Sequence, residues 1–97
     1  QPENPTAHYN LGLAHAQMRN YTEAVKAWEQ AVTLRPAYED ALHNLLLVYV
    51  GESRDSEAWK TVNRLRALNA EVDPLLLRRL RQRTLEQQGA GGQNTQE

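Results

Sequence analysis

Two serines, three histidines and a run of four arginines are the side chains with which this chain could do chemistry, and cysteine is absent. Nucleophilic catalysis would need a hydroxyl beside a base, an orienting group and an oxyanion donor. Ser53 and Ser56 flank a turn with no histidine near them, and no Gly-rich loop follows a strand, so no enzyme is expected. His8 and His15 share one helix face but stand roughly 10 Å apart along its axis at 1.5 Å per residue, too far for one metal ion. Without cysteine there is neither a thiolate site nor a disulfide, and neither a metal nor a cofactor is expected. Arg78, Arg79, Arg81 and Arg83 make either a dock for acidic groups or a solvated face whose stems cover neighbouring leucines. Glu52, Asp55, Glu57, Glu71 and Asp73 precede them, no aromatic interleaves, and the net charge is −1 with a pI near 6.3. That balance speaks against a nucleic-acid partner.

The elements that hold these residues are helices. Hydrophobic residues make up 40% of the 97, with no Phe, four Pro and five Gly. Strong helix formers dominate and strand formers are scattered. The longest apolar run, Leu45 to Val50, is far short of a membrane span, so no membrane insertion is expected. Nothing points to a compartment. Asn4-Pro5 reads as an N-cap followed by Pro at the first helical position, opening a helix to about Met18. Arg19 to Thr22 forms the turn, and Thr22 caps a second helix that ends before Pro36. A third helix runs from about Tyr38 to Val50 and stops at Gly51. A fourth starts near Asp55, and Asp73-Pro74 opens a fifth that ends at Gln88. The inward stripes carry Trp28 and Trp59, which read as core residues.

The chain also repeats itself. Shifted by 34 residues, Ala7 meets Ala41, Asn10 meets Asn44, Leu11 meets Leu45, and Leu13 meets Leu47. Glu23, Ala24, Lys26 and Leu34 likewise meet Glu57, Ala58, Lys60 and Leu68. A 34-residue period is the mark of a stacked helical repeat. Leu11-Gly12, Ala24, Trp28 and Pro36, with His8 and His15 in the two remaining aromatic places, resemble the tetratricopeptide repeat. The second unit fits more loosely through Leu42, Leu45-Leu46, Tyr49, Ala58, Val62 and Ala70. The resemblance implies an all-α, right-handed solenoid of antiparallel helix pairs, five helices in all. Residues 5–38 form the first repeat, 39–72 the second, 73–88 a C-terminal capping helix and 89–97 a disordered polar tail. Pro2 stands 34 residues before Pro36, so residues 1–4 read as the end of a truncated upstream repeat of a longer protein.

In this family the first helix of each pair lines a concave groove that holds partner segments. Carried over, the groove comprises Tyr9, Asn10, Leu13, His43, Asn44, Leu47, Leu77, Arg78 and Arg81, with Thr6, Gln17, Asp40 and Val50 at its margins. Tyr9, Leu13, Leu47 and Leu77 would give an apolar floor, Asn10 and Asn44 would bond a peptide backbone, and the arginines would favour an acidic group. His43 faces the groove as well. Chaperone-binding relatives clamp a terminal carboxylate with five side chains. Here Asn44 and Arg78 hold two of those places, while Tyr9, Leu13 and Pro74 fill the others, so no such clamp is expected. The expected function is a scaffold or adaptor that binds a partner peptide or helix. The alternative is a structural spacer that self-associates weakly through an uncapped N-terminal face.

Overall fold

The computed structural model describes the backbone of residues 3–95 and the side chains of residues 3–87. It holds five helices and, among the described residues, no strand. Pro2, with the upstream-repeat reading attached to it, lies outside the described residues. Helix α1 spans Pro5–Gln17, and the Asn4 side chain caps it by accepting from the Thr6 and Ala7 amides at 2.9 and 3.3 Å. The same device opens α5, Pro74–Thr95, where Asp73 Oδ1 accepts from the Leu75 amide at 2.9 Å.

Three helices end in one way. Arg19, Ser53 and Asn69 adopt left-handed backbone with φ of 62, 60 and 57°. The amide that follows each one donates back into the preceding helix: Asn20 to His15, Arg54 to Tyr49 and Ala70 to Leu65, at 2.8 to 3.0 Å. This is the Schellman arrangement, which satisfies carbonyls that the helix end leaves free. It also corrects one expectation. Thr22 does not cap α2: the reversal is complete at Asn20, whose carbonyl already accepts from the Ala24 amide, so α2 spans Tyr21–Leu34. Helix α3, Glu39–Gly51, ends at Gly51 as expected, with Ser53 taking the left-handed position after it. Helix α4, Asp55–Ala67, starts at Asp55 as expected and includes Ser56. The fifth helix also continues past Gln88 to Thr95, where the sequence predicts a tail. Once nucleated, a helix gains one bond per added residue, which here carries it through Gly89, Gly91 and Gly92.

Helices α1 and α2 pair, as do α3 and α4, while α2 also packs on α3, and α5 lies against both α3 and α4. One apolar core runs through the stack, from Ala24, Trp28 and Ala31 through Leu42, Leu45, Leu46 and Tyr49 to Val62, Leu65 and Leu80. Trp28 is buried and Trp59 packs half-buried against this core. The radius of gyration, 15.3 Å, exceeds the roughly 12.5 Å of a compact domain of this length, as stacking in one direction requires.

Candidate protein-binding groove

Residues from α1, α3 and α5 make up the expected groove. On α1, Tyr9 and Leu13 are half-buried against the core and Asn10 is exposed. The Tyr9 ring lies 5.1 Å from that of Tyr38, tilted by 31°, and the Arg35 guanidinium sits 5.0 Å over the other ring. Tyr9 is thus part of a stacked group, and its backbone carbonyl accepts from Trp28 Nε1 at 3.1 Å. On α3, His43 and Asn44 are half-buried and Leu47 is 56% exposed between buried Leu46 and Val48. On α5, Leu77 is half-buried, while Arg78 and Arg81 are exposed. Val50 does not reach the groove: it is fully buried, because its helical position turns it into the core beside Leu46.

The surface between these helices is divided. His43 shares a cleft of about 600 Å³ with Glu71, Val72, Asp73 and Pro74. Leu77, Arg78 and Arg81 line a second, of about 430 Å³, with Pro74, Gln82 and Leu85. Leu47 belongs to a third, largely apolar one beside Tyr21 and Gly51. Asn10, Asn44, Arg78 and Arg81 make no side-chain hydrogen bond or ion pair within the described residues, so their donors stay available.

Other polar side chains are committed to the fold. Arg83 is not part of a solvated face. Its guanidinium makes a two-nitrogen contact with Asp55, the shortest distance being 2.6 Å, and donates to the Val50 carbonyl at 2.9 Å. Trp59 Nε1 donates to Thr84 Oγ1 at 2.9 Å. The Tyr49 hydroxyl donates to the Glu29 carboxylate, and Arg54 lies 4.8 Å over the Tyr49 ring while pairing with Glu57 at 2.9 Å. Burial first, and Glu29 second, push the Tyr49 phenol well above its ordinary range. The Arg54 pairing holds the Glu57 carboxyl below its usual value. The 34-residue period carries a signal for two of these contacts: His15, Tyr49 and Arg83 share one place in the repeat, where Tyr49 reaches Glu29 of α2 and Arg83 reaches Asp55 of α4.

The family model of the tetratricopeptide repeat matches residues 5–38, the span of the α1–α2 hairpin and the turn after it. Over those residues the chain is similar to a tetratricopeptide repeat. No curated protein and no solved structure matches it. Tetratricopeptide repeats generally mediate protein–protein interaction. In the α1–α2 hairpin, close approach of the two helices depends on Gly12, since any β-carbon there would collide with the Trp28 indole. The α3–α4 hairpin reverses the sizes in the same register, with Leu46 in the glycine place and Val62 in the tryptophan place, both fully buried. Large and small have changed sides, which preserves the combined volume between the two helices.

Proposed function

We propose that the surface of α1, α3 and α5 binds an extended or helical segment of a partner protein. The supporting observation is that these three helices bear accessible apolar residues, Leu47 and Leu77, and donors with no internal use among the described residues, Asn10, Asn44, Arg78 and Arg81. Such a mixture gives a partner apolar contact together with orientation by hydrogen bonds. Leu47 is the clean probe, because its exposure separates binding from folding, whereas Tyr9 and Leu13 also serve the core. Leu47→Asp should abolish capture of the partner and leave the melting temperature within a few degrees of the parent. A control charge reversal on α4, Lys60→Glu, should leave capture intact. Capture that survives Leu47→Asp would remove the groove from consideration.

A second reading is favoured by one contrast. Leu11 is 50% exposed while Leu45, 34 residues on, is 2% exposed under α2. His15 beside it holds a buried Nδ1 with no partner. This uncovered end of the stack would serve self-association, and the chain would then act as a spacer. Concentration-dependent sedimentation that Leu11→Asp eliminates would establish that role.

A further inference from the structure

The clefts at His43 and at Arg78 adjoin through Pro74, which lines both, yet they carry opposite charge. The first holds Glu71 and Asp73, with Val72, Pro74 and the His43 ring as its apolar wall. Among the described residues the Glu71 carboxylate has no ion-pair partner, and the Asp73 carboxylate is engaged only by the Leu75 amide. The second holds Arg78 and Arg81 over Leu77 and Leu85, and neither guanidinium meets a carboxylate among the described residues. Elsewhere in the molecule neighbouring opposite charges do pair, as Lys26 with Glu23 and Arg54 with Glu57 at three-residue spacing. Here helix geometry keeps them apart. Asp73 and Arg78 are five residues apart, a separation that places side chains on different faces, and Glu71 lies before the helix begins. Two unneutralised patches of opposite sign are thereby held side by side along one apolar groove.

We propose that the preferred ligand of the groove is a bipolar peptide segment, with a basic residue seated at Glu71 and Asp73 and an acidic residue at Arg78 and Arg81. This rests on the groove reading above. The separation is set by α5. From Pro74, Arg78 and Arg81 lie roughly 6 and 10 Å along the helix axis at 1.5 Å per residue. An extended peptide advances about 3.3 Å per residue, so the two charges stand about two to four positions apart in the ligand. Both ends are needed for orientation: a segment laid the other way would set like charges together at each cleft. A uniformly acidic partner is disfavoured by the first cleft and a uniformly basic one by the second. Phosphate backbones, which are acidic throughout, fail on the same ground.

The test is selection of a random dodecapeptide display library on the full chain. Enriched peptides should share a Lys or Arg and an Asp or Glu two to four positions apart, around an apolar residue. The double variant Arg78→Glu with Arg81→Glu, at two exposed positions, should enrich peptides without the acidic residue. It should also bind the best original peptide roughly ten-fold more weakly, the scale of two exposed charge contacts. Glu71→Lys should in turn remove the preference for the basic residue. Enriched peptides that lose binding on Leu47→Asp but show no paired charges, or are indifferent to the arginine reversal, would overturn the bipolar ligand and keep the groove. A selection that enriches nothing above background on a chain of unchanged circular dichroism would overturn both.

Discussion

At Gly12 the backbone of α1 comes so near the Trp28 indole that an added β-carbon would sit 2.3 Å from Nε1. Replacing that glycine by alanine improves helix propensity by about 1 kcal/mol. It must also displace the tryptophan and break its bond to the Tyr9 carbonyl, and overpacking of this kind costs about 1–3 kcal/mol. Gly12→Ala should therefore destabilise the chain by up to about 2 kcal/mol in urea unfolding, and the loss should vanish in a Trp28→Val background. Tyr49 gives a pH prediction. Its folded-state ionisation is pushed above the ordinary value near 10, so the unfolded chain loses that proton first. The stability it supplies is complete below about pH 10 and is lost as pH rises further. In an alkaline absorbance titration, the difference between the parent and Tyr49→Phe should be a phenol that ionises later than free tyrosine; a difference curve at the ordinary position would show the hydroxyl to be free. Side-chain roles of this sort were only partly legible. The repeat register marks Gly12 and Trp28, but nothing in local spacing separates Arg83 from Arg78, Arg79 and Arg81. Its partner Asp55 is 28 residues away and meets it only after α5 has docked.

Helix boundaries depend on competition between side-chain caps and backbone closure. Asn4 and Asp73 precede proline and cap as their types suggest. The internal turns follow the backbone instead, with Arg19, Ser53 and Asn69 bearing left-handed φ that a non-glycine residue resists. That conflict made the turns hard to place from sequence, because the glycine that normally marks such a position is absent. It also yields a prediction: Ser53→Gly should raise stability by about 0.5–1 kcal/mol, the relief of backbone strain exceeding the added freedom of the unfolded chain. A thermal melt that shifts downward would show that Ser53 is held by contacts rather than tolerated. For α5, the Arg83–Asp55 pair is shielded, the side chains retaining 25 and 17% exposure. Arg83→Ala should cost about 1–3 kcal/mol, below the range for fully buried pairs because water still reaches this one. Arg83→Lys should recover little, lacking the planar fork. Amide exchange should quicken along α5 and leave α1 unchanged, since among the described residues α5 packs chiefly on α3 and α4.

The molecule as a whole follows from the 34-residue period, and its fold class was the most legible feature of all. Recurring Ala and Leu positions at helical spacing can bury their stripes only by stacking hairpin upon hairpin. The groove is less legible, because exposure there depends on where the next helix falls. Leu45, Leu46 and Leu47 are adjacent and chemically alike, yet only Leu47 opens to solvent. Charge separation along α5 is likewise a product of assembly, since it needs His43 of α3 beside the turn that precedes Pro74. Amide NMR titration of the full chain with the best peptide from the library selection addresses the binding surface directly. Shifts should cluster on Asn10, His43, Asn44, Leu47, Leu77, Arg78 and Arg81, and should disappear with Leu47→Asp. Shifts confined to the outer faces of α2 and α4, or to His8, Leu11 and His15 at the uncovered end, would place the ligand elsewhere and end the groove account.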